Sequence, residues 1–470
     1  MQNTFQLRTL ALVVVLLTVL FAAAPKTFGQ DFPSDPRNID DEFRITLKSQ
    51  FFRLAKGTQP IKESDRDLLA RAARYYLYLG IVPQVQDEKT SKTRRRIAGR
   101  RRNLVDEVNR MIDTRVLRKN DKFRQMFSEE LVKALRKGFS KSLYTFYETV
   151  DRNKTPKQRY HSAQVYLGLT LPIVVQIIDR QTEGEQRKFG NLLLELASRK
   201  DEPIAQLFAF KAMETYFLKA PLTLSPFLSN KDRKAQTAFL QPAFDCLTKP
   251  PANWKNLPKA ELNGYRYLRC EAIKALGAGG IPAYPMLANT AGDFNGAMYL
   301  PVAYELIRLL SEQQTKYPPL TFAEKHAAAV ALCRMKARQM SRYNPDASVK
   351  LVGQHISDLI DSYINDRELV LASNKTDVRV PHRYPWKKMA EELQTALKTF
   401  QRNLPPTSPA SAKLQKINDQ AQSALESKII DTYLRTGVIT PAKALQRVVE
   451  GMKVSDEIYQ NAPEYKVDVK

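Results

Sequence analysis

The chain has 470 residues and carries 74 Lys and Arg against 49 Asp and Glu, a formal charge of +25. Its three cysteines, Cys246, Cys270 and Cys333, show no C-x-x-C spacing, which excludes a disulfide framework and argues against a zinc cluster. The 17 glycines fall below the usual ~7%, and strand-rich folds and phosphate-cradling loops both consume glycine.

Residues 1–29 read as a secretory signal peptide. Arg8 supplies a positive start, and Leu10 to Ala24 is an apolar run that ends on Ala22, Ala23 and Ala24. Fifteen residues are too few for a membrane span, which needs roughly 20 at 1.5 Å each. Pro25 disfavours cleavage after Ala24, so the small residues Thr27 and Gly29 place the cut near Gly29. No Cys follows the run, which argues against a lipoprotein, and no later stretch reaches spanning length. The sequence therefore predicts an exported protein, periplasmic or extracellular in a bacterial setting, with no transmembrane helix once the signal is removed.

The remaining roughly 440 residues can bury a large core unaided. Apolar residues recur at three- and four-residue spacing, the pattern of amphipathic helices. One stripe is Phe43, Leu47, Phe51 and Leu54; the next runs from Leu68 through Ala72, Ala73 and Tyr76 to Leu79. A third runs through Leu104, Val108, Met111 and Ile112, and two more occupy 123–136 and 160–178. Period-two alternation is confined to Val378–Pro385, where two prolines demote it to an extended loop.

A weak internal echo appears further on. Residues 206–213 (Gln-Leu-Phe-Ala-Phe-Lys-Ala-Met) and 269–276 (Arg-Cys-Glu-Ala-Ile-Lys-Ala-Leu) keep Ala, Lys and Ala in register 63 positions apart. Ala328 and Ala331 repeat the spacing 56 positions beyond Ala272 and Ala275. Alanines at i and i+3 share one helix face and let a neighbouring helix come close. The segment Arg269 to Gly277, followed by Gly279, Gly280, Pro282 and the apolar stretch Tyr299 to Leu310, resembles the second helix of a HEAT/armadillo-like repeat. The resemblance implies stacked helical hairpins, although spacings of 63 and 56 exceed that family's unit of ~40–47 residues. The expected fold is all-α: an irregular, HEAT-like α-solenoid over 151–403, preceded by a basic N-terminal helical region at 30–150. A proline-marked linker at 404–412 and C-terminal helices at 413–470 complete it, with Thr440-Pro441 opening the last helix.

Charge is concentrated early. From Ser91 to Lys141 there are seventeen Lys and Arg against six Asp and Glu. The densest part holds Lys92, Arg94, Arg95, Arg96, Arg100, Arg101 and Arg102, with Gly99 between the two Arg triplets. Such a run repels itself and needs a polyanion or solvent to screen it. Arg suits bidentate pairing to phosphate or carboxylate. Export points to anionic lipid, acidic envelope polymer or an acidic protein, and the lack of aromatics between Ser91 and Lys122 weakens a single-stranded nucleic-acid reading.

The sequence offers no catalytic constellation. His161, His326, His355 and His382 show no H-x-x-x-H or H-x-H spacing, so no metal site and no cofactor are expected. The first three histidines read as partly exposed structural residues, and only His382, beside Arg383, Tyr384 and Trp386, sits in a loop that could line a site. Gly277, Gly279 and Gly280 lack the Lys-Ser/Thr of a P-loop and read as a helix end. Glu129-Glu130 and Glu391-Glu392 read as solvent-facing, and Tyr75, Tyr76 and Tyr78 as core rather than a glycan-stacking surface. Cys270 and Cys333 are expected in the core, with one disulfide among the three left open. These readings favour a non-enzymatic helical-repeat scaffold that binds a protein or an anionic envelope partner. A hydrolase or lyase acting on an acidic glycan, or a nucleic-acid-binding protein, are the alternatives.

Overall fold

A computed structural model describes residues 47–78, 121–140, 156–178, 183–219, 240–279, 299–311, 318–335, 345–374, 386–404, 406–425 and 440–452. Every regular element among them is helical, as the periodicity and the glycine shortage require. In chain order these are α1 (Lys48–Ala55), α2 (Arg66–Tyr78), α3 (Asp121–Gly138), α4 (Pro156–Ile178), α5 (Glu183–Ala197), α6 (Pro203–Lys219) and α7 (Lys259–Gly279). There follow α8 (Tyr299–Leu310), α9 (Phe322–Arg334), α10 (Pro345–Asn374), α11 (Trp386–Asn403), α12 (Pro409–Leu425) and α13 (Thr440–Glu450). Proline opens α4, α6, α10 and α12, where its missing N–H is not needed and its fixed φ already suits a helix. The last helix begins at Thr440-Pro441, where the sequence puts it. None of the described helices is long and apolar enough to cross a membrane.

The chain divides into two compact units, Met1–Leu167 and Gly168–Lys470. In the first, α2 packs on α1 and α3. Phe51, fully buried, centres an aromatic cluster with ring centroids 5.8 Å from Tyr76, 5.6 Å from Phe123 and 5.2 Å from Phe127. Tyr75 and Tyr76 are buried in this core, as expected. Glu129 and Glu130 depart from expectation. Arg66 reaches across from α2 and binds Glu129 at 2.8 Å and Glu130 at 3.1 Å, and Glu130 is buried. The adjacent carboxylates turn inward because one guanidinium serves both, and the hydrogen bond to Glu63, then those to Glu129 and Glu130, hold the Arg66 pKa above its ordinary value.

In the second unit, α6, α7, α9 and α11 pack side by side in that order, with α10 against α9, α11, α12 and α13. The sequence echo falls on three successive members of this row: 206–213 on α6, 269–276 on α7 and 328–332 on α9. Arg269 meets Glu324 and Gly277 meets Ala331, so α7 and α9 run parallel with offsets of 55 and 54 positions, close to the 56 of the echo. Small residues set the spacing. A Cβ on Gly277 would lie 2.4 Å from the Ala331 Cβ and 2.6 Å from its Cα, and one on Gly168 would lie 2.2 Å from the Phe208 ring. Gly277 is therefore a packing residue within α7, and the helix ends only at Gly279, where the glycine run was expected to end it.

This close approach is testable against helix propensity. Gly277→Ala removes a flexible residue from a helix, worth about 1 kcal/mol alone, but it drives a methyl into backbone. Overpacking of that kind costs about 1–3 kcal/mol, so a net destabilisation is expected in urea unfolding. Gly264→Ala, on the same helix but with nothing within 4 Å of its new methyl, is expected to stabilise by about 0.5–1 kcal/mol.

Candidate functional site

Among the described residues, a cleft of about 290 Å³ crosses the helix row. One face of α9 forms its floor: Ala323, Ala327, Val330 and Arg334 recur at i, i+4, i+7 and i+11, with His326 beside them. Cys270 and Lys274 on α7, with Glu214 on α6, form one wall, and Met389 and Glu392 on α11 form the other. Four helices thus contribute residues from 214 to 392, which no local motif could reveal.

The α7–α9 contact beneath the cleft is fixed by a buried ion pair. Arg269 and Glu324 are 0% and 1% exposed and lie 2.6 Å apart. Arg269 also donates to the Pro318 carbonyl at 3.1 Å and lies over the Tyr265 ring. Glu324 closes a capping box, accepting from the Thr321 N–H at 2.7 Å while Thr321 accepts from the Glu324 N–H. The same carboxylate therefore starts α9 and ties it to α7. This orientation sets the floor residues toward the cleft.

Ionisable groups around the cleft pair with one another. Arg334 binds Glu214 at 2.9 Å, Lys274 binds Glu271 at 2.8 Å, and His326 Nε2 lies 3.4 Å from Glu392. Burial pulls the Lys274 ammonium down, but the charges of Glu271 and Glu214 outweigh it and leave its pKa raised. The hydrogen bond from His326 outweighs burial at Glu392 and, with the charges of Arg334 and Lys274, holds that carboxyl below its usual range. Burial pushes the Cys270 thiol up to about 11, so it stays protonated near neutrality and is a poor nucleophile. The arrangement borders an apolar floor with paired charges.

His326 on α9 and His355 on α10 are buried rather than partly exposed, because they face each other where the two helices pack. Their rings lie 5.7 Å apart; His326 Nδ1 and His355 Nε2 are buried without a hydrogen-bond partner. Burial, then the proximity of His326 and Lys325, lowers the His355 pKa to about 3. Among the described residues no group of three or more His, Cys, Asp and Glu could hold a metal ion. The cysteines are free; Cys270 and Cys333 sit in the core as expected, and burial raises the Cys246 pKa to about 12.

The basic cluster Lys92, Arg94, Arg95, Arg96, Arg100, Arg101 and Arg102 lies outside the described residues, as does His382. Signals for the cleft were faint in sequence: the i, i+4, i+7 spacing of Ala323, Ala327 and Val330 reads as ordinary core periodicity. No protein-family model, curated protein or solved structure matches the chain.

Proposed function

We propose that this chain is an exported, non-enzymatic helical-repeat scaffold, built as an irregular HEAT-like solenoid, that holds a protein or an anionic envelope partner. The observation that carries the reading is the serial row α6–α7–α9–α11, whose successive members jointly build one cleft. Rows of stacked helices produce extended recognition surfaces in this way. The acids and bases of the cleft neutralise one another, an arrangement suited to recognition rather than to proton transfer. Residues 1–29 supply export, and the cluster from Lys92 to Arg102 supplies electrostatic attachment to a negatively charged surface.

The test is retention of the mature protein on anionic vesicles. Retention is expected to fall steeply between low and physiological salt, and replacing Arg94–Arg96 and Arg100–Arg102 by Ser should abolish it. Retention that ignores the six substitutions removes the basic cluster from the function.

A further inference from the structure

Two imidazoles meet inside the α9–α10 contact: His326, which also lines the cleft, and His355. They are 8% and 3% exposed, with ring centroids 5.7 Å apart. The Phe322 ring, centred 5.1 Å from His355, offers no hydrogen-bond acceptor. Glu392 can only accept, so His326 Nε2 carries the proton of their 3.4 Å contact, and Nδ1 of the neutral ring keeps a lone pair. That Nδ1 and the Nε2 of His355 are both buried without a partner. The pair fits while both rings are neutral. Once His355 is protonated, both its nitrogens carry hydrogen, and Nε2 becomes a charged donor with no acceptor in reach.

The surroundings add no compensation. Besides α9, helices α8, α11, α12 and α13 pack on α10. From α9, His326 and Lys325 both act against a positive charge on His355. From α11, Glu392 turns to His326, and that hydrogen bond holds it below the usual carboxyl range, so it stays ionised in mild acid. On α12, Lys413 is held by Asp346 of α10 at 3.3 Å, and on α8, Arg308 is held by Glu305 at 2.8 Å. Among the described residues no charge on α8, α11, α12 or α13 acts on the His355 ring. Burial first, and then the two α9 neighbours, bring its pKa from the ordinary 6.5 to about 3. Burial raises the pKa of Asp361, also on α10, so acid favours its packed form and opposes the histidine.

We propose that the His326–His355 contact is an acid-sensitive latch, in which protonation of His355 releases α10 from α9 and loosens the cleft floor that His326 lines. The latch is fully closed above a pH of about 6.5, where the ring is neutral in the packed and the opened form alike. Below that, the opened form takes up a proton that the packed form refuses. The open-to-packed ratio therefore rises by about tenfold per pH unit until about pH 3. This regulation belongs to the fold and does not depend on the scaffold reading.

Amide exchange in the full-length protein and in His355→Phe, compared at equal pH, tests it. Phe keeps a ring between the helices and removes the titration. Equal pH cancels the chemistry of exchange and the titration of Asp361, and α1, α2 and α3 in the first unit serve as internal reference. From pH ~7.5 to pH ~5 the parent-to-variant ratio of exchange rates in α9 and α10 should rise by about 30-fold, while the ratio in α1–α3 stays constant. His355→Gln, which cannot titrate either, should give the same result and replaces the Phe variant if that one does not fold. A ratio in α9 and α10 that is indifferent to pH overturns the proposal. So does an NMR titration of the folded parent in which the His355 ring protonates near pH 6.5.

Discussion

Glu324→Leu is expected to lower the unfolding free energy by about 3–5 kcal/mol, because it leaves the Arg269 guanidinium buried without its counter-charge. The cost of the lone charge comes from desolvation, since Arg269 is wholly buried and keeps only the Pro318 carbonyl and the Tyr265 ring. The double variant Arg269→Met/Glu324→Leu removes both charges and should recover most of the loss. It should remain about 1 kcal/mol below the parent because the capping box at Thr321 is gone. Urea denaturation of the four proteins in a double-mutant cycle gives the coupling directly. A double variant as unstable as the single one would mean that Glu324 acts through the start of α9 alone.

Phe51→Ala is the corresponding test in the first unit and is also expected to cost about 3–5 kcal/mol. Phe51 touches rings from α2 and α3 and is fully buried, so its loss opens a cavity that three helices line. Amide exchange in α1, α2 and α3 should accelerate by about 10²–10³-fold where it proceeds through opening of this core. Exchange that stays at parent rates would show that the aromatic cluster is peripheral to the unit's stability.

Helix content was legible in the sequence because it rests on local periodicity. The stripes through Phe51 and Leu54, through Ala72, Ala73 and Tyr76, and through 123–136 all became buried helix faces. The Ala-x-Lys-Ala echo went further, since its two copies and the looser repeat at Ala328 and Ala331 lie on three helices that pack in succession. It was legible because close helix packing demands small residues at fixed spacing, and Gly277 against Ala331 is that demand at its strictest. Local pattern stopped being informative where a partner lies far along the chain. Glu129 and Glu130 read as solvent-facing because neighbouring helical residues diverge, whereas Arg66 from 63 and 64 positions away draws both inward. His326 and His355 likewise gave no sign that the packing of α9 on α10 would bury them side by side. The capping box of Thr321 and Glu324 is a local feature, but the second role of Glu324, pairing with Arg269, exists only across α7 and α9. The cleft inherits that limit, since its lining comes from four helices between residues 214 and 392.

The proposed function rests on two features of different kinds: a cleft shared by successive helices, and an Arg-rich cluster read from sequence. The scaffold reading requires that the second attach the protein to an anionic surface. The most direct measurement is retention of the mature protein on anionic and on neutral vesicles as salt is raised. The expected result is retention on the anionic vesicles alone, lost by physiological salt and absent when Arg94–Arg96 and Arg100–Arg102 become Ser. Equal retention of the parent and the six-fold Ser variant, or of anionic and neutral vesicles, would contradict it.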